Sequence, residues 1–228
     1  MPDEEIEIKK IIERSRETGW VLEPDAKRVM ALSGMDVPQG LFTADPDEAL
    51  RFARKIGYPV VAKVVSPRIV HKSEAGGVAT GIRDDKTLAA VFERFRSLDG
   101  YMGVLVEESV SGLELIVGGK VDEQFGPVVL VGMGGVGVEI YRDTAIRMAP
   151  IEAKDVEGML RELTASRLLD GYRGGRPVNR DALVRTVVKF SCLLMEIEGN
   201  MESADLNPVM CNPERCVVAD ARIMLAQK

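Results

Sequence analysis

Pro59-Val60-Val61-Ala62-Lys63-Val64-Val65 is followed closely by Val70-His71-Lys72-Ser73-Glu74-Ala75-Gly76-Gly77-Val78. The first stretch is an apolar strand pattern interrupted by one lysine. A lysine in a buried strand is costly unless its charge meets a partner. The plain reading is an edge-strand lysine that snorkels to water; the functional one is an ammonium aimed at a phosphate. The second stretch holds the only histidine of the 228 residues, a lysine and a paired glycine. Histidine supplies a nucleophilic ring nitrogen near its unperturbed pKa of about 6.5. Paired glycines are compatible with a plain turn, but they also leave backbone N–H groups free to face an anion. With Lys63 eight residues upstream of His71, the loop reads as a phosphate site. It is not a Walker A loop, because no Gly-Lys-Ser/Thr ends it.

Working outward, helices and strands alternate along the chain. Residues 5–17 read as an amphipathic helix with Ile8, Ile11 and Ile12 on one side. Pro24 fits the first turn of a second helix ending near Gly34. In Asp45-Pro46-Asp47-Glu48, Asp45 is placed to cap, Pro46 to open the helix and Glu48 to complete a capping box. Ala49, Leu50, Ala53 and Ile56 form its apolar stripe, and Gly57 stops it. Strands are expected at Val60–Val65 and Val78–Ile82, then a helix over 86–97 carrying Leu88, Val91, Phe92 and Phe95. Residues 104–106, 113–117 and 127–131 read as strands. Helices follow near 153–169 and over 180–197, the second carrying Leu183, Val187, Phe190 and Leu194. Strands at 204–210 and 216–224 close the chain. Such interspersion defines a mixed α/β or α+β class.

Composition narrows the function. A net charge of −6 argues against a nucleic-acid binder, whose footprint is basic. The acidic start Met1-Pro2-Asp3-Glu4-Glu5 lacks a signal peptide's apolar core. No apolar run approaches the ~18 residues of a membrane span. The three cysteines, Cys192, Cys211 and Cys216, fit a reducing compartment and complete no zinc site. A soluble, cytoplasmic protein is expected.

Two further regions carry chemistry. Glu107 and Glu108, side by side at a strand end, must point in opposite directions, so one faces a cleft or both belong to a solvated turn. The glycine cluster over 132–137 contains a Gly-x-Gly pair, but a strand pattern follows it, which disfavours a dinucleotide fingerprint. Near the C-terminus, a turn centred on Pro213 and Glu214 sets opposed residues to sum to 427. Asn207 then faces Asp220, and Asp205 faces Arg222. Directly opposed Cβ atoms lie roughly 5 Å apart, close enough for Asn207 and Asp220 to hold one hard cation such as Mg²⁺. Asp205 either pairs with Arg222 or joins the metal. A surface hairpin with ordinary polar pairs is the alternative.

From about residue 20 onward, these segments together resemble the ATP-grasp fold: a strand lysine, a glycine loop, the Val106-Glu107-Glu108-Ser109-Val110 hinge, and Asp205-Leu206-Asn207-Pro208 with Asp220. Within that fold the chain is most similar to the nucleotide-binding subunit of ADP-forming acyl-CoA synthetases. Residues 59–63 leading to His71–Val78, with Phe125-Gly126-Pro127 and Gly132-Met133-Gly134-Gly135, carry this likeness. The resemblance implies two lobes with the nucleotide between them, about 22–100 and 1–21 plus 101–228, in a single ATP-grasp domain. It implies that Lys63, Gly76 and Gly77 meet nucleotide phosphates, that Glu107 and the Val110 backbone meet adenine, and that Glu114 meets ribose. Asn207 and Asp220 would hold Mg²⁺ beside ATP or ADP. His71 would carry a phosphoryl group between this chain and a CoA-binding α subunit with its own phosphorylated histidine, in an α2β2 heterotetramer. Lys72 and Glu74 flank it, Glu74 placed to steady the ring, in a segment over 69–76 expected to swing. Succinyl-CoA synthetase, a related enzyme, has glycine and arginine where this chain has Val70-His71, and its nucleotide subunit continues into another domain. Both differences favour the acetate type. The rival readings are an ATP-grasp carboxylate–amine ligase without a histidine relay, and a nucleotide-sensing domain without catalysis.

Overall fold

The computed structural model describes residues 2–135 and 143–226. In chain order the elements are α1 (Pro2–Arg14), β1 (Trp20–Val21), α2 (Glu23–Leu32), β2 (Gly40–Thr43), α3 (Pro46–Ile56), β3 (Val60–Val65), β4 (Val78–Ile82), α4 (Asp85–Arg96), β5 (Gly103–Glu108), β6 (Leu113–Asp122), β7 (Gly126–Met133), β8 (Thr144–Met148), α5 (Ala153–Glu162), α6 (Arg180–Ile197), β9 (Met201–Cys211), β10 (Cys216–Val218) and β11 (Ala221–Leu225). They form two compact units, Pro38–Val110, and Met1–Val37 with Ser111–Lys228.

The smaller unit is an antiparallel sheet in the order β2-β5-β3-β4. Alternation along the strands sends Val60, Ala62, Val64, Val104 and Val106 to one face, where α3 and α4 cover them with Ala49, Ala53, Leu88, Phe92 and Phe95. Truncating either phenylalanine to alanine would cost about 3–5 kcal/mol. Asp45 caps α3 through a hydrogen bond from the Asp47 N–H at 2.9 Å. The expected return from Glu48 runs through a third residue instead. The Asp45 N–H donates to the Thr43 hydroxyl, which donates to the Glu48 carboxylate.

The larger unit holds a seven-stranded sheet in the order β1-β11-β9-β6-β7-β8, with β10 also pairing β9. Its inner face presents Leu115, Val117, Val129, Val131, Leu206, Val209 and Ile223 to α1, α2, α5 and α6 in one apolar cluster. Ile8, Ile11 and Ile12 of α1 are buried there as the periodicity requires. The Asn179 side chain caps α6 by accepting from the Ala182 N–H at 2.9 Å. Cys211 and Cys216 oppose each other across β9 and β10 with Cα atoms 4.1 Å apart and are joined as a disulfide. The free Cys192 is exposed. The β9–β10 register brings the two sulfurs together, a pairing that the count of cysteines did not anticipate.

The lobe boundaries differ from those expected at 22 and 100. β5 pairs between β2 and β3, so residues through Val110 belong with the smaller sheet, while α2 packs on β11 and belongs with the larger one. The helix expected over 153–169 ends at Glu162, with Leu163 extended at φ −64°, ψ 130°. The Asp143 carboxylate takes the Thr164 and Ala165 N–H groups at 2.7 and 2.9 Å, and a separate 3-10 turn follows over Ser166–Asp170. Gly132 and Met133 close β7. Val136, Gly137 and the start of the strand pattern expected after them lie outside the described residues.

Candidate active site

In the smaller unit, Lys63 and Glu107 lie on the face of the sheet not covered by helices. Glu107 opposes Val61, two residues from Lys63, so the two side chains are diagonal neighbours on one face. The Lys63 ammonium lies 3.2 Å from a Glu107 carboxylate oxygen, and the residues are only 7% and 2% exposed. Lys63 is therefore a buried cation held by a carboxylate, which excludes the snorkelling reading. Glu108 points the other way, as strand geometry demands, and accepts the Gln39 N–H at 3.0 Å.

The loop between β3 and β4 carries His71. Its backbone folds on itself: Ala75 N–H donates to His71 O at 3.2 Å, Gly76 N–H to Ser73 O at 3.2 Å, and Gly77 N–H to Lys72 O at 2.7 Å. His71 and Glu74 are exposed and Lys72 is half-buried. Among the described residues, the His71 imidazole forms no hydrogen bond or ion pair. Gly76, at φ +68°, sits in open space. Gly77 is buried, and an added Cβ would lie 2.4 Å from Val64 Cγ1, so only glycine lets the loop close against β3. Val110 is half-buried at the end of this unit.

In the larger unit, the β9–β11 register has the expected sum: Val209 opposes Val218, Leu206 opposes Ala221, and Asp205 opposes Arg222. Between these pairs the Asn207 N–H donates to the Asp220 carbonyl at 3.2 Å. Asn207 is exposed and Asp220 half-buried. One amide oxygen and one carboxylate, adjacent and open to water, suit a cation that takes its remaining ligands from water and phosphate. The structure joins Asp205 to Arg222, whose Nε donates to the Asp205 carboxylate at 3.0 Å. No group of three or more His, Cys, Asp or Glu side chains able to hold a metal occurs among the described residues. Glu114 is exposed on β6, and its carbonyl accepts the Gly134 N–H at 2.7 Å. An added Cβ at Gly134 would sit 2.6 Å from the Glu114 carbonyl carbon, which gives the second glycine cluster a packing reason at this position.

Sequence reasoning did not anticipate Glu107 as the partner of Lys63, because that contact depends on the β3–β5 register. It also missed Ser66 and the turn before β5, which lie at the base of the His71 loop. The serine carried no signal beyond its place at the end of a strand.

Residues 13–225 match a protein-family model described as an ATP-grasp domain, the class to which the strand lysine, the glycine loop and the hairpin bearing Asn207 and Asp220 point. The β subunit of ADP-forming acetate–CoA ligase I from Pyrococcus furiosus is 37% identical over 98% of this chain and 100% of its own. The chain belongs to the family of ADP-forming acetate–CoA ligase β subunits within the ATP-grasp proteins. Two structures of the acetyl-coenzyme A synthetase 1 of Ca. Korarchaeum cryptofilum superpose on it. One, with coenzyme A and Mg-AMPPCP, has its phosphohistidine segment pointing towards the nucleotide-binding site (TM-score 0.83, 35% identity, 96% and 100% coverage). The other, with coenzyme A and acetyl-coenzyme A, has a phosphorylated phosphohistidine segment in what is called the site I orientation (TM-score 0.84, 34% identity, 96% and 100% coverage). Among the described residues no helix is long and apolar enough to cross a membrane.

Proposed function

We propose that this chain is the nucleotide-binding subunit of an ADP-forming acyl-CoA synthetase acting on acetyl-CoA, with the overall reaction acyl-CoA + ADP + phosphate = acid + CoA + ATP, run in either direction. The observation that carries this reading is the exposed His71 on a self-closed loop beside β3, the strand that bears Lys63. A relative supports it: its phosphohistidine segment points towards the nucleotide-binding site in one structure and is phosphorylated in another.

In this reading the CoA-binding partner forms an acyl phosphate from acyl-CoA and phosphate, and the partner's histidine takes the phosphoryl group. A His71 ring nitrogen attacks that phosphorus, forming a new N–P bond as the partner's N–P bond breaks. A terminal phosphate oxygen of ADP then attacks phosphorus on His71, and the ring leaves as ATP forms. Phosphoryl transfer depends mainly on positioning and charge stabilisation. Lys63 supplies positive charge at the nucleotide phosphates, oriented by Glu107, while Gly76 and Gly77 line the same phosphate region, their own N–H groups being spent on the Ser73 and Lys72 carbonyls that close the loop. Glu107 and the Val110 backbone read adenine, and Glu114 reads ribose. Asn207 and Asp220 would hold Mg²⁺, which when bound offsets charge on the phosphates. Asp205 is assigned to Arg222 on their 3.0 Å hydrogen bond, not to the metal. Glu74 steadies the charged ring. The assembly is an α2β2 heterotetramer in the cytoplasm, where both nucleotides are abundant.

The test is labelling with γ-³²P ATP. The relay predicts an acid-labile, base-stable phosphoprotein that disappears in His71→Asn, together with loss of acetyl-CoA-dependent ATP synthesis by the complex. Full synthesis by His71→Asn would leave the direct carboxylate–amine ligase chemistry, and ATP binding without label would leave a sensor.

A further inference from the structure

The base of the His71 loop is built asymmetrically. At its C-terminal end Gly77 is fastened to the sheet, its carbonyl accepting the Val64 N–H at 2.8 Å. At its N-terminal end the fastening comes from outside the hairpin, from the turn between α4 and β5. The Ser66 side chain, in a residue only 2% exposed, donates to the Asp99 carbonyl at 2.6 Å and accepts the Arg68 N–H at 3.0 Å. The Arg68 guanidinium reaches the Asp99 carboxylate at 3.1 Å, both side chains being 69% exposed. Gly100, at φ +64°, lets the turn approach; an added Cβ would stand 2.8 Å from Ser66 Oγ and 3.0 Å from Arg68 Cγ. Next to it the Met102 N–H donates to the Val65 carbonyl at 2.9 Å.

We infer that Ser66, Arg68 and Asp99 form a latch that sets the resting position of the His71 segment: Ser66 is the fixed pivot, and the Arg68–Asp99 pair is the releasable contact. This rests on the relay reading, since a segment that serves two sites must be held and let go. The division of labour follows from burial. A buried hydroxyl bonded on both sides is expensive to break, so Ser66 stays put as the segment moves. An exposed ion pair contributes little and is screened by salt, so it yields at small cost. Neither Arg68 nor Asp99 belongs to the nucleotide or metal machinery; they are positioning residues that act through the segment.

Hydrogen exchange on the full chain, read in peptides spanning 67–76, tests the latch without requiring catalysis. Asp99→Asn should speed exchange there about two- to fivefold, the range an exposed ion pair allows, with amides of β3 and β5 and the Tm unchanged. Ser66→Ala should speed it roughly tenfold. Reversing the charges together, Arg68→Asp with Asp99→Arg, should restore the wild-type rate. In the complex, Asp99→Asn should alter the ratio between His71 labelling from ATP and phosphoryl exchange with the partner. Unchanged exchange over 67–76 in both single variants overturns the latch. So does faster exchange spread across the sheet with a lower Tm, or a parallel fall in both half-reactions. If the wild type takes no label at His71, the relay fails, and the exchange data still decide whether the latch exists.

Discussion

The His71 segment and the β9–β11 hairpin are both needed by the proposed chemistry, yet they are held in opposite ways. The segment is closed by three backbone hydrogen bonds of its own and displays its histidine to solvent. Asn207 sits within β9, which lies between β6 and β11, and Asp220 lies in the two-residue join between β10 and β11, its carbonyl accepting the Asn207 N–H. Regions with few buried apolar contacts open at low free energy, while central strands share the global stability. A group that must travel belongs on the first kind of support, and a pair of ligands that must keep a fixed spacing belongs on the second. Lys63 sides with the hairpin: it is buried in a central strand and paired.

Substitutions that exchange these properties should break the contrast, and the largest effect is expected at Lys63. Lys63→Ala removes the ammonium 3.2 Å from buried Glu107 and should lower stability by about 3–5 kcal/mol. Lys63→Met with Glu107→Gln should recover most of that in denaturant unfolding while ATP affinity stays lost. Next comes Asp220→Ala, which should leave the unfolding midpoint nearly unchanged but slow ATP-dependent labelling of His71 about 10²–10³-fold, as removal of one charge-stabilising group does elsewhere. A midpoint falling in step with the rate would show that the residue serves only the hairpin. Gly77→Ala places a methyl 2.4 Å from Val64 Cγ1 and should cost about 1–3 kcal/mol of overpacking, seen as a lower Tm. If Tm holds, the loop base is softer than the sheet.

The smallest expected effect concerns pH. Hydrogen bonds from Arg54 and then Tyr58 hold the Asp85 carboxyl below its ordinary value of 3.8. A lowered folded-state value contributes stability above the unfolded one and loses it as pH falls through the folded one. Asp85→Asn should therefore lower Tm slightly at pH 7, and the gap from wild type should narrow as the pH drops below 3.8. A gap that is constant with pH would mean that packing, not charge, carries the effect.

The sequence was most legible where local pattern and turn chemistry act alone. The apolar stripe of Leu183, Val187, Phe190 and Leu194 marked α6 to the residue. The turn at Pro213-Glu214 set the register that joins Asp205 to Arg222. Legibility failed where a distant group intervenes. The Asp143 carboxylate ends α5 from about twenty residues away, and the partner of Lys63 arrives on a strand 44 positions later. β1 and β2 have two and four residues, too short for a period to declare itself; partners in the sheet define them. The units also divide by strand pairing, which hydrophobic periodicity does not encode.

The chain leaves the larger unit after Val37 and returns at Ser111. Both borders bind one hairpin: the Asp36 carbonyl accepts the Val218 N–H at 2.8 Å, and the Ser111 carbonyl accepts from the Asn212 side chain at 3.2 Å. The residues between are thus a guest spliced into a host that already owns its seams. A host whose splice points are stitched to its own hairpin is suited to excision, with 38–110 replaced by a short flexible bridge, and to exchange of the guest between relatives.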